Sequence, residues 1–225
     1  MDIYISQTSL FVFVKKPTPG EVKTRLGEAI GFENAAYLYQ GMAETCLKRF
    51  QRIINMNCTV YFDPPEEARF FYDWFGGEVS YLPQCTGGLG QRLQHGFAKI
   101  LKDSDTAIAL GSDSPDLPME YLHDAARELI SHDVVIGPAK DGGYYCIGMR
   151  RTIPELFDGI HWSTEQVFLE TLKRCESLGL SVYTAPVWSD VDYKEDLVRL
   201  CDSQDEDVKQ FIQKQALILK AIGIL

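Results

Sequence analysis

Leu10-Phe11-Val12-Phe13-Val14-Lys15-Lys16-Pro17-Thr18-Pro19-Gly20 (LFVFVKKPTPG) passes from an apolar run into a basic, proline-rich segment. Five apolar residues in a row, with no polar alternation, predict a strand covered on both faces. The abrupt change to Lys, Pro and Gly predicts that this strand ends in a loop over residues 16–20. A helix-compatible segment then starts at about Val22. A doubly covered strand of this kind belongs to a parallel sheet packed between helices.

The rest of the chain repeats that rhythm. Residues 59–62, 79–82, 106–110, 134–136, 144–149 and 180–184 read as further strands. Helical spacing occupies residues 34–52, 66–75, 89–102, 118–130, 164–177, 193–200 and 207–221. Strand and helix alternate at intervals of roughly 25–30 residues, as βαβ crossovers require. The expected architecture is α/β, with three layers and one Rossmann-like, mixed but mostly parallel sheet flanked by helices. There are no internal repeats and no long linkers, so the 225 residues are read as a single domain.

The formal net charge of −10 argues against a nucleic-acid-coating surface, which needs clustered cations. An anionic small molecule stays compatible with it, because a few local cations can outweigh the global field. No apolar run is long enough to cross a membrane. The first residues lack a basic, apolar leader pattern, so a cytoplasmic protein is expected. The six cysteines form no CxxC pair, which points to reduced thiols, with neither a zinc site nor a disulfide framework. The apolar segment ALILKAIGIL (residues 216–225) suits either core packing or a homodimer contact.

In open α/β sheets, ligands bind beyond the carboxyl ends of strands. That rule selects three loops. The first, KKPTPGEVKTRL (residues 15–26), crowds Lys15, Lys16, Lys23 and Arg25 into an otherwise acidic protein. Cations at a helix start oppose the helix dipole, and a phosphate there would compensate them. A solvated basic turn is the plainer alternative. The second, LGSDSPDLP (residues 110–118), sets Asp113 and Asp116 on a tight turn directly after a strand. A strand-end carboxylate beside Gly and Ser suits a hard divalent cation, and Asp113 is the better placed of the two. Asp116 reads as a turn or cap residue. The third, GPAKDGGYYCIG (residues 137–148), carries Asp141, Gly142 and Gly143, where a hairpin turn and close approach to a substrate are both readable.

Three further stretches matter. In HWSTEQV (residues 161–167), Ser163 with Gln166 three positions on predicts a capping box. Trp162 there reads as an aromatic platform or as core. In WSDVDYKEDL (residues 188–197), Asp192 reads as a helix N-cap or as a second metal-side carboxylate. TGGLGQRL (residues 86–93) places Arg92 early in a helix. No GxSxG is present, and none of the four His sits in a motif for a catalytic base.

Taken in order, KKPTPGEVKTRL, LGSDSPDLP, GPAKDGGYYCIGM, WSTEQV and DVDYKEDL resemble the bacterial DUF2064 family of glycosyltransferase-A-like transferases, across residues 10–200. More distant is the similarity to nucleotidyltransferases of molybdopterin and coenzyme F420 biosynthesis. The resemblance implies a nucleotide-diphospho-sugar transferase (GT-A) fold. It places nucleotide along Val14, Lys16, Pro17, Gly20 and Arg92, with Lys23 and Arg25 at the phosphates. It implies Mg²⁺ or Mn²⁺ on Asp113 with Asp192, and substrate contacts at Gly142, Gly143, Tyr144 and Trp162. Asp141 or Asp192 is the implied acceptor base. The implied reaction moves a sugar from a nucleotide diphosphate to an unknown acceptor. A nucleotidyltransferase that releases pyrophosphate from an NTP, and a nucleotide-binding protein without catalysis, are the rival readings.

Overall fold

The computed structural model describes residues 7–225. Its centre is a seven-stranded sheet: β1 (Thr8–Lys15), β2 (Met56–Asp63), β3 (Ser80–Pro83), β4 (Thr106–Leu110), β5 (Val134–Pro138), β6 (Tyr144–Met149) and β7 (Val182–Thr184). The spatial order is β3-β2-β1-β4-β6-β5-β7. Only β6 runs antiparallel to its neighbours, pairing Leu110 with Cys146 on one side and Ile136 with Ile147 on the other. The mixed, mostly parallel sheet expected from the sequence is therefore the observed one.

The LFVFV run explains the layering. Leu10, Val12 and Val14 face one apolar cluster, and Phe11 faces the other. Helices α2 (Phe32–Phe50), α3 (Ala68–Phe75) and α5 (Met119–Glu128) cover the first face. Helices α4 (Leu89–Ile100) and α6 (Val167–Ser177) cover the second, where the Phe97 ring meets Phe11 edge-on at 4.9 Å. A third cluster joins α1 (Thr24–Ile30) and α2 to α7 (Lys194–Cys201), α8 (Glu206–Lys214) and α9 (Ala216–Ala221). All six cysteines are free.

Four expectations need correction. The helix foreseen over 207–221 is two helices, because Gln215 turns inward, 5% exposed, against Gly41 of α2. The Ser163 capping box does not form. Ser163 adopts a left-handed backbone (φ 63°), and the helix starts only at Val167. Asp192 is not a helix cap: the Asp196 carboxylate instead accepts from the backbone N–H groups of Asp192 and Tyr193. Helix α1 begins at Thr24 rather than Val22, since Lys23 is itself left-handed (φ 47°).

Gly148 lies in the middle of β6 with both sheet faces covered. An added Cβ would sit 2.8 Å from Val135 Cγ2, 2.9 Å from Ile108 Cγ1 and 3.1 Å from the Ala107 carbonyl. Gly148→Ala should therefore destabilise by about 1–3 kcal/mol through overpacking. A urea midpoint equal to that of the wild type would contradict this.

Candidate active site

The sheet order reverses between β1 and β4, and such a switch point opens a crevice at the strands' carboxyl edge. A cavity of about 700 Å³ lies there. Its walls come from the ends of β1 (Lys15), β2 (Asp63) and β4 (Gly111 to Asp113), the start of β6 (Tyr144) and the segment after β7 (Asp190, Asp192). The Tyr39 hydroxyl ties the two sides of the switch together. It accepts from the Lys15 backbone N–H at 2.9 Å and meets the Ser112 hydroxyl at 3.0 Å.

Lys23 sits at the centre of the charge. Its Nζ donates to Asp113 Oδ2 at 2.7 Å and to Asp192 Oδ1 at 2.8 Å, and its side chain is 5% exposed. Arg25 holds the other Asp192 oxygen at 3.0 Å, with its guanidinium 5.8 Å over the Tyr193 ring. Burial pulls the Lys23 pKa down, but Asp113, Asp192 and Asp190 more than offset it, so the ammonium is held above its ordinary value. The Asp192 carboxyl is held below the usual carboxylate range: burial works against ionisation, and Lys23 and Arg25 overcome it.

Asp190, which no sequence motif marks as a site residue, also lines the cavity. It accepts from the Ser114 hydroxyl at 2.6 Å. Burial first, then the neighbouring Asp113 charge, pushes its carboxyl up to about 7. The segment carrying Asp190 and Asp192 is fastened to the LGSDSPDLP loop at several points. The Val191 N–H donates to the Asp113 carbonyl at 3.0 Å. Arg199 of α7 pairs with Asp116 at 2.9 Å and donates to the Ser189 carbonyl at 2.8 Å. Asp116 thus latches two loops and does not face the cavity.

The far wall carries Arg92, which ion-pairs with Asp63 at 3.0 Å and donates to Gln84 Oε1 at 2.8 Å and to the Gly87 carbonyl at 3.0 Å. No sequence motif marks Asp63 or Gln84 as site residues. Their position at or just beyond strand ends was the available signal.

The foreseen residues divide into two sets. Asp113, Asp192, Lys23, Arg25, Arg92 and Tyr144 line the cavity. Val14 is buried in the core beneath it, and Pro17 and Gly20 do not reach it. Lys16 turns away to Glu67 at 2.6 Å and to the Phe70 ring. Asp141 accepts from the Gly143 N–H at 2.9 Å, in the hairpin reading of that loop, and Gly142 packs on the Glu165 backbone. Trp162 packs among Tyr144, Phe157 and Gly90 on the sheet's second face.

Asp113 and Asp192 are each 27% exposed and present hard oxygen donors. The second oxygen of Asp113 takes no hydrogen bond among the described residues. Two such carboxylates suit Mg²⁺, which takes one or two from protein and the rest from phosphate and water. No group of three acidic, His or Cys side chains makes a ready metal cage among the described residues. None of the helices there is long and apolar enough to cross a membrane.

Among solved structures, a "putative nucleotide-diphospho-sugar transferase" from Desulfovibrio desulfuricans G20 is 32% identical. It superposes with a TM-score of 0.85 over 97% of this chain and 99% of that one. A CMP:2-keto-3-deoxy-manno-octonic acid synthetase complexed with CTP shares the fold at 13% identity (TM-score 0.55, 93% of this chain and 100% of that one). The inositol-1-phosphate CTP transferase of T. maritima does so at 12% (TM-score 0.53, 95% and 97%). No curated protein matches the sequence. Residues 46–164, more than half of the chain, match the model of a family described as uncharacterized proteins conserved in bacteria. By that match, and by its likeness to the Desulfovibrio protein, the chain belongs to the DUF2064 family.

Proposed function

We propose that this protein is a transferase that binds a nucleotide diphosphate sugar in the switch-point cavity and moves the sugar to an acceptor. The observation that carries the proposal is the meeting of Lys23, Arg25, Asp113 and Asp192 at one edge of that cavity. Breaking a sugar–phosphate bond leaves a nucleoside diphosphate whose growing negative charge must be stabilised. Lys23 and Arg25 supply fixed positive charge for the two phosphates. Asp113 and Asp192 would hold Mg²⁺ or Mn²⁺, which supplies Lewis-acid stabilisation of the leaving oxygens. The name of the 32%-identical relative supports this class of donor.

The test is product analysis. Purified protein is incubated with nucleotide sugars and Mg²⁺ or Mn²⁺, and nucleoside diphosphate release is followed by chromatography. Asp113→Asn should lower turnover about 100-fold, the typical cost of one preorganised electrostatic group. Pyrophosphate released from an NTP in the presence of a phosphorylated acceptor would replace sugar transfer with nucleotidyl transfer. Nucleotide binding without turnover across both substrate classes would leave a binding protein.

A further inference from the structure

We propose that Lys23 is a resident counter-cation that keeps a divalent ion out of the Asp113–Asp192 pair until a nucleotide arrives. The metal then enters with the phosphates and not before them. This inference rests on the transferase function proposed above and adds an order of binding to it.

Charge bookkeeping at the site leads there. Of the four oxygens on Asp113 and Asp192, three already accept from cationic nitrogens: two from Lys23 and one from Arg25. Two negative charges meet two positive ones, so the pair is neutral as it stands. Asp190 lies outside this exchange, its carboxylate accepting from the Ser114 hydroxyl at 2.6 Å. A divalent ion alone would leave the site with two excess positive charges. A sugar nucleotide's diphosphate brings two negative charges, so metal and diphosphate together restore neutrality.

Sterics agree with the charge. A Mg²⁺ ion needs oxygens at about 2.0–2.1 Å, and the place between the two carboxylates is filled by Nζ at 2.7 and 2.8 Å. Lys23 is almost fully enclosed and donates to both carboxylates at once, which holds it in place. Its backbone is left-handed (φ 47°), and its Nζ reaches the carboxylates of two separate loops. Arriving phosphates offer the ammonium another anion, which frees the two carboxylates to share a metal.

The experiment is a Mn²⁺ titration without nucleotide, followed by the electron paramagnetic resonance signal of the free ion. Wild-type protein should bind Mn²⁺ only at millimolar concentrations. Lys23→Met should bind it at least tenfold more tightly, and Asp113→Asn added to that variant should abolish the gain. Lys23→Arg, which keeps a cation in place, should stay as weak as the wild type. Micromolar binding to the wild type overturns the inference, whether or not Lys23→Met folds. Equal affinities for wild type and Lys23→Met overturn it as well. Absence of all nucleotide-dependent transfer overturns the transferase function instead, and this titration contains no nucleotide.

Discussion

Arg199→Ala is expected to lower the unfolding free energy by about 3–5 kcal/mol, the cost of leaving a buried charge without its partner. The Asp116 side chain is only 7% exposed, and Arg199 Nε meets it at 2.9 Å. Burial raises the Asp116 pKa, and Arg199 is the first charge acting to lower it again. Without Arg199 the folded protein would hold that carboxyl even further above its unfolded value. A group raised in this way adds most stability below the unfolded pKa and loses it as pH rises through the folded one. The deficit of the variant should therefore be largest at neutral and alkaline pH and smallest near pH 4. For a chain of this length each kcal/mol moves Tm by about 2–4 °C, so a fall of roughly 6–20 °C is expected. Asp116→Asn on the Arg199→Ala background should recover part of it, because the stranded charge is then gone. A fall below about 2 °C at pH 8, less than a single kcal/mol would give, would mean that the pair is not the latch described here.

How far the sequence alone reaches can be judged from residues on either side of that latch. The LFVFV run, doubly buried in the structure, was readable because continuous burial leaves a continuous apolar string. Asp113 was readable because a strand-end position is fixed by the strand itself. Lys16 was not, since its direction depends on Glu67, 51 residues away, and on the Phe70 ring. Asp190 owes its perturbed proton to Asp113 and to burial, neither of which local spacing records. Asp192 reads as a cap or as a metal-side carboxylate, and distant contacts decide: Asp196 caps that turn and leaves Asp192 to Lys23. Ser163 and Gln166 have the spacing of a capping box, but the left-handed backbone at Ser163 starts the helix later. Local patterns thus located the sheet, its edge and most of the charged cluster, Lys23, Arg25, Arg92, Asp113 and Asp192, but not Asp63 or Asp190. The remainder depends on contacts between distant loops.

Those contacts also predict a loss of stability when the site is dismantled one charge at a time. Lys23→Met would leave Asp113, Asp192 and Asp190 facing one another with only Arg25, 55% exposed, as a counter-charge. Because the two paired carboxylates are 27% exposed, water softens the loss, and about 2–4 kcal/mol at pH 8 is expected. The sign of its pH dependence follows from the two shifted acids. In the wild type, Lys23 helps hold Asp192 below its ordinary value, so Asp192 adds stability above pH 3.8 that is lost as pH falls through its folded pKa. Removing Lys23 removes that contribution. Asp190, already up at about 7, would rise further without the ammonium, and a raised carboxyl loses its stabilising effect as pH increases. Both changes weaken the variant at high pH, and neither does so in acid. The wild-type and Lys23→Met curves should therefore converge as pH falls from 8 toward 4. Mn²⁺ at about 0.1 mM, below the millimolar range in which the wild type binds it, should restore part of the deficit in the variant at pH 8 and leave the wild type unchanged. Urea titrations at several pH values, with and without Mn²⁺, read both effects. A deficit that stays constant across that range would show that Lys23 acts by packing rather than by charge.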